Sequence, residues 1–309
     1  MMKKYAIGTD IGGSHISCGV IDIGAKKIIS NSFTTQSVDN KASADIILND
    51  WSTALQKSIS KIDIHQLAGI GFAMPGPFDY EKGIALFEKV EKYYNLYNIN
   101  VSERLRDSLK LPADFEVRYM NDATSFAVGE AWMGKASGAD RLVCLTLGTG
   151  FGSAFIDNGI PVVERNDVPK LGCLWHLPFK NGIADDYFST RWFINCYAEK
   201  TGKKLSGAKE IADLVTIDPE AKNVFIEFGQ NLGGFLYQWL KMFHTKALVI
   251  GGNVSAAYNY YGSYFEETIK SLKVNIYISD LMEDAALIGS ARLFDNNFWI
   301  RVKPLLSKM

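Results

Sequence analysis

The chain has 309 residues, 47% hydrophobic and 22% charged, with a formal net charge of −1. That length suffices for one large or two ordinary domains with full cores. The near-neutral balance lacks the basic stripe with which a nucleic-acid-binding surface neutralises phosphates.

No apolar run reaches the roughly 18–20 residues needed to span a bilayer. The start, MMKKYAIGTD, runs straight into a strand pattern without an apolar leader. A cytoplasmic protein with no nucleic-acid or membrane partner is therefore expected. The 4 cysteines, Cys18, Cys144, Cys173 and Cys196, are scattered and form no Cys-x-x-Cys pair, so no thiolate set for a structural zinc is expected. Cys18 and Cys144 sit in apolar strand-like runs and read as small, reduced core residues.

In chain order, KYAIGTDIGG is a strand ending at a glycine turn, and HISCGVIDIG and KIISNSFTTQ are further strands, expected as antiparallel neighbours. Asn40 is expected to cap an amphipathic helix with Ala44, Ile47, Leu48, Trp51, Leu55 and Ile59 on one face. LAGIGFAMPG is a buried strand ending at Pro75 and Gly76; FEVRYMND is another, followed by an alanine-rich helix to about Gly134. Residues 141–159, RLVCLTLGTGFGSAFIDNG, then repeat the plan of residues 5–24: strand, glycine turn, strand, Asp-x-Gly or Asp-Asn-Gly turn. Such repetition predicts two halves of similar topology. A helix, the strand ALVIGG and the small-residue helix EDAALIGSARLF complete an α/β pattern.

The glycine turns carry the first chemical signal. Without Cβ atoms, backbone N–H groups can approach phosphate oxygens closely. Matching turns at residues 10–14 and 148–152, with Gly251 and Gly252 after a third strand, suit a nucleotide; neither GxxxxGK[ST] nor a helix-opening GxGxxG is present. Asp10 either stabilises its own turn or brings a carboxylate to phosphate-bound Mg²⁺. Asp122, where strand passes to helix, either caps that helix or accepts a hydroxyl proton while the oxygen attacks a phosphoryl group.

DIGGSH, the MPGP loop, NDA, LGTGFGSAFI and LVIGGNVS occur in the order and spacing of the ROK family of sugar kinases, and the chain resembles that family over nearly its whole length. The resemblance implies two actin/RNase H-like α/β domains flanking a nucleotide- and sugar-binding cleft, over residues 1–118 with about 284–309, and over 119–283. It implies ATP and Mg²⁺ as cofactors. Gly12, Gly13 and Ser14 would form the first phosphate loop with Asp10 near the metal, Gly148, Thr149, Gly150 and Gly152 the second, and Gly251 and Gly252 the adenosine motif. Asn121 would hold sugar hydroxyls and Asp122 would be the catalytic base. Pro75, Gly76 and Asn95 would contact sugar, with Ile99 where the family has Trp. Tyr93, Tyr94 and Tyr97 either line that cleft or pack on helices. A homodimer is the family-based expectation.

The stretch KLGCLWHLPFKNGIADDYFS departs most from the family pattern. His176 is retained; Cys173 stands for Glu, Trp175 for Gly and Asp185 for Glu; the zinc loop is shortened and without cysteines. Cys173, His176 and Asp185 are carried over as sugar-facing, and Trp175 either fills core or adds an apolar face to the sugar. The resemblance thus implies glucokinase-like, ATP-dependent phosphorylation of a hexose or hexose derivative. Two alternatives stand beside it. One is a non-catalytic sugar sensor, although the repressors of the family carry a helix-turn-helix for which no room is expected ahead of Tyr5. The other is a kinase for a different polyol, or one that uses polyphosphate as donor.

Overall fold

Strand β1 (Tyr5–Ile11) turns at residues 12–14 into β2 (His15–Asp22), and the two pair antiparallel along their whole length. In this computed structural model, which describes residues 3–88 and 90–309, two further short strands pair antiparallel with β2. These are β3 (Lys27–Ile28) and β4 (Thr34–Ser37), so the stretch read as one strand is two, parted near Asn31, whose φ is 60°. Helix α1 (Ala44–Ile59) buries Ile47, Leu48, Trp51 and Leu55 as its apolar spacing requires. Its N-cap is Ser43, not Asn40. Asn40 instead turns its side-chain amide to the Gly13 carbonyl, a partner distant in sequence that local helix signals do not reveal.

Strand β5 (Leu67–Met74) lies parallel to β1. The small hairpin β6 (Phe78–Asp79) and β7 (Ile84–Ala85), helix α2 (Val101–Leu109), strand β8 (Val117–Asn121) and helix α3 (Asp122–Met133) follow. The sheet order is β3-β2-β1-β5-β8, with β4 also on β2.

A second unit, Lys135–Met282, repeats this plan. Strands β9 (Arg141–Leu147), β10 (Phe151–Asp157) and β11 (Ile160–Pro161) form an antiparallel meander. A tight hairpin, β12 (Pro178–Phe179) and β13 (Gly182–Ile183), leads into helices α4 (Ala184–Tyr187), α5 (Thr190–Thr201), α6 (Ala208–Asp213) and α7 (Pro219–Met242). Asp218 caps α7 by accepting from the Glu220 N–H, and Pro219 opens its first turn, where a missing N–H costs nothing. Strand β14 (Ala247–Gly251), helix α8 (Tyr258–Ile269) and strand β15 (Asn275–Ile278) complete the unit, with sheet order β11-β10-β9-β14-β15. The internal repeat of the sequence is thus a repeat of topology: an antiparallel meander, then two parallel strands. Its core is rich in aromatic rings, among them Phe188, Phe193, Phe228 and Phe235.

The chain then returns to the first unit with α9 (Asp284–Ala291) and α10 (Asn296–Val302). That unit runs to Gly134, past residue 118, so it carries β8 and α3. The reason lies in α9, which is built from small residues and packs backbone to backbone. A Cβ on Gly129 of α3 would lie 1.9 Å from the Ala285 carbonyl oxygen, and one on Gly289 would lie 1.8 Å from that of Ser125. On the sheet side, Gly8 and Gly71 bring β1 and β5 equally close to Leu287 and Ser290. The buried Ser290 hydroxyl accepts from the Thr9 N–H at 3.0 Å and donates to the Leu287 carbonyl at 2.9 Å. Among the described residues no helix is long and apolar enough to cross a membrane.

Gly129→Ala should therefore destabilise the protein by about 1–3 kcal/mol or more through overpacking. Gly234→Ala, at an exposed position of α7 with nothing within 4 Å of an added Cβ, should stabilise by roughly 0.5–1 kcal/mol. Urea midpoints of the two variants would test this; shifts of the same sign would contradict the packing account.

Candidate active site

In the first unit the carboxyl ends of three adjacent strands bring the predicted residues together. β1 ends beside Asp10, which pairs with Ala73 of β5; Met74 of β5 pairs with Asn121 of β8. Ligands of α/β sheets bind at such ends. Asn121 is the N-cap of α3, its Oδ1 accepting from the Thr124 N–H at 3.1 Å. Capping thus falls to Asn121, and Asp122 is the first helical residue. Asp122 Oδ1 accepts from the Ala123 N–H at 2.8 Å and from Asn121 Nδ2 at 2.9 Å. Asn121 Nδ2 also reaches the Tyr80 hydroxyl at 3.3 Å, and that hydroxyl donates to the Met74 carbonyl just before Pro75 and Gly76.

The electrostatics of this corner are unusual. Burial first, then the nearby Asp122 and Glu283 carboxylates, push the Asp10 carboxyl up to about 8. Burial also raises the Asp122 carboxyl, opposed by the Ala123 N–H, the Asn121 amide and the Lys92 charge. Glu283 immediately precedes α9, so the close packing of α9 on α3 and β1 gathers the three acids.

The first glycine turn is gripped from behind. Tyr93 Oη donates to the Gly12 carbonyl at 2.7 Å, Asn40 Nδ2 to the Gly13 carbonyl, and Val38 N–H to the Ser14 carbonyl at 2.9 Å. Three engaged carbonyls fix the peptide planes of the turn. Of the three tyrosines in this loop, Tyr93 is buried against Trp51 and Phe87, while Tyr94 and Tyr97 are exposed. Asn95 directs its amide NH₂ to the Lys41 and Ala42 carbonyls at 3.1 and 2.8 Å, bracing the loop against the start of α1.

In the second unit the Gly148 N–H donates to the Gly150 carbonyl at 3.0 Å, and this turn too is held from behind. Thr190 N–H and Oγ1 donate to the Gly148 carbonyl at 2.8 and 2.9 Å, and Arg191 donates to the Thr149 carbonyl at 3.2 Å. Asp185 belongs to this assembly: Oδ1 accepts from the Phe151 N–H at 2.6 Å, and Oδ2 pairs with Arg191 at 2.5 Å. Gly152 lies in β10 opposite Thr146. Gly251 pairs with Thr146 from the other side, and Gly252 follows with a positive φ (79°), where a Cβ would lie 2.5 Å from the Leu147 carbonyl oxygen. A side chain there would be both strained and blocked. The second and third glycine motifs are therefore neighbours.

Cys173 Sγ and His176 Nδ1 are 3.8 Å apart, and burial followed by the Lys170 charge lowers the His176 imidazole below its usual value. Trp175 is 46% exposed rather than core-filling, with its ring edge-on to His176. The shortened loop closes as the hairpin β12–β13, anchored by Phe179 packing on Phe188 and Phe235. Among the described residues no group of three or more His, Cys, Asp or Glu side chains is placed to hold a metal. Sequence reasoning did not single out Asn40, Lys92, Glu283, Thr190 or Arg191 for this site. Their only local signal is proximity to the motifs, since their partners are distant in sequence.

The ROK family model matches residues 6–297. The glucokinase of Thermotoga maritima is 25% identical, covering 95% of this chain and 98% of that protein. The N-acetyl-D-glucosamine kinase of Haemophilus influenzae is 27% identical over 80% of this chain and 84% of its own. Among solved structures, a ROK family glucokinase from Streptomyces griseus in complex with glucose and AMPPNP superposes with a TM-score of 0.72 at 22% identity, covering 94% of this chain and 98% of that one. With two units of one topology and glycine turns at matching places in each, this chain belongs to the ROK family.

Proposed function

We propose that this ROK-family chain is a sugar kinase that phosphorylates a hydroxyl of a hexose or hexose derivative with ATP, and that Asp122 is its general base. The observation that carries this reading is the Asn121–Asp122 pair at the end of β8. Asn121 takes over the capping of α3, and the Asp122 carboxylate is held by a backbone N–H and a side-chain amide rather than by a cation in direct contact. Asp122 takes the proton of the sugar hydroxyl as its oxygen bonds to the γ-phosphorus. The bond from phosphorus to the bridging oxygen breaks, and ADP leaves with the electron pair. Asn121, with Pro75 and Gly76 on the adjacent strand end, would orient the hydroxyls. In the other unit, the turn at residues 148–150 and the Gly251–Gly252 pair would hold the nucleotide, and Cys173 and His176 would contact sugar. Asp185 and Arg191 would set the shape of the second turn.

Asp10 fits a role toward Mg²⁺. Its carboxylate is half-buried beside two other acids, with no hydrogen bond or ion pair to it among the described residues, and its affinity for a proton is raised to about 8. A divalent ion arriving with the phosphates would relieve that repulsion, directly or through water. Mg²⁺ supplies charge that stabilises the transferring phosphoryl group. Between about pH 4 and pH 8 the metal-free folded state keeps a proton that the unfolded state has lost, so stability falls as pH rises through this window.

In EDTA, Asp10→Asn should be close to wild type in melting temperature near pH 4.5 and exceed it by at least ~2–4 °C at pH 8. A constant offset at both pH values would contradict the Asp10 account. A coupled ADP-release screen over hexoses, 2-acetamido sugars and ketohexoses should reveal turnover. Asp122→Asn should reduce that turnover by roughly 10²–10⁴-fold with binding largely kept. Near-unchanged turnover in the variant would remove Asp122 from the mechanism, and sugar binding without turnover would favour the sensor.

A further inference from the structure

We infer that Lys92 is the cation of the first glycine turn, and that its ammonium binds an oxygen of the phosphoryl group being transferred. This rests on the kinase reading above and adds a residue to it. Nζ and Cε lie only 2.7 and 3.1 Å from the point a Cβ on Gly13 would occupy, so the end of this exposed side chain lies over the turn.

The backbone carrying it is fastened to the same turn. Tyr93, the next residue, is left-handed at φ 60°, donates its N–H to the Asn40 carbonyl at 2.9 Å, and donates its hydroxyl to the Gly12 carbonyl at 2.7 Å. Asn40 in turn donates to the Gly13 carbonyl, and Asn95 ties the far side of the loop to Lys41 and Ala42.

Charge decides what the mounting is for. The corner gathers Asp10, Asp122 and Glu283, and a terminal phosphate brought among them would be repelled. His15 lies 3.9 Å from Glu283 but is charged only when protonated. Lys92 is the basic side chain that lies on this turn, and among the described residues no carboxylate lies within ion-pair distance of its Nζ. Its field nonetheless reaches Asp122. A base that removes a hydroxyl proton during attack on phosphorus stands one oxygen away from that phosphorus. A cation that acts on the base and lies on the phosphate turn is therefore beside the transferred group. Lysine serves phosphate as a compact point charge.

Calorimetric titration of wild type, Lys92→Met and Lys92→Arg with Mg²⁺–AMPPNP and Mg²⁺–ADP tests this without turnover. Lys92→Met should weaken AMPPNP binding about tenfold or more, while ADP binding stays within about twofold, which also reports an intact fold. Lys92→Arg should recover most of the loss. Equal weakening of both nucleotides, or no weakening of either, would overturn the assignment of Lys92 while leaving the kinase reading in place. Wild-type protein that binds neither nucleotide would overturn the kinase reading, and this inference with it.

Discussion

The first unit depends on how closely α9 approaches its neighbours. Gly129 and Gly289 at the α3 contact, and Gly8 and Gly71 at the sheet, each leave out a Cβ that would lie about 2 Å from a facing carbonyl oxygen. Ser290 then threads a hydrogen bond to the Thr9 N–H of β1. Because Asp10 is the penultimate residue of β1, Asp122 opens α3 and Glu283 immediately precedes α9, one packing constraint sets the relation among three acids. Close-packed interiors transmit displacement rather than absorb it. The separation of these carboxylates is therefore a property of the core as much as of the site.

The two glycine turns share a construction that goes beyond their composition. Glycine lets a backbone approach a phosphate, but the same freedom would let the turn wander. In the first unit Tyr93, Asn40 and Val38 hold the carbonyls of the turn; in the second Thr190 and Arg191 do so, with Asp185 fixing the next N–H. Different side chains solve the same problem in two halves of one topology. Preorganised N–H groups need no rearrangement when charge develops on a transferring group.

Much of this was legible in the chain. Glycine turns between apolar runs marked both hairpins, and the repeated plan of residues 5–24 and 141–159 anticipated two sheets of one order. The face of α1 followed from its spacing. Its cap did not, because Asn40 is engaged by Gly13, 27 residues away, and a sequence window sees only the helix. The family resemblance turns Asp185 toward the sugar, whereas its carboxylate engages the Phe151 N–H and Arg191 at the second turn. Trp175 is exposed, while the adjoining Leu174 enters the core. Lys92 sits, exposed, in a charge-rich stretch, EKVEK, and only the fold brings the end of its side chain over Gly13.

The central claim is phosphoryl transfer to a sugar oxygen at the corner of Asp10, Asn121 and Asp122. The most direct measurement is ³¹P NMR of the wild-type protein incubated with Mg²⁺–ATP and a sugar that it binds. The account predicts a sugar phosphomonoester appearing one for one with ADP. ATP consumed to inorganic phosphate with no sugar ester, or left intact in the presence of bound sugar, would contradict it.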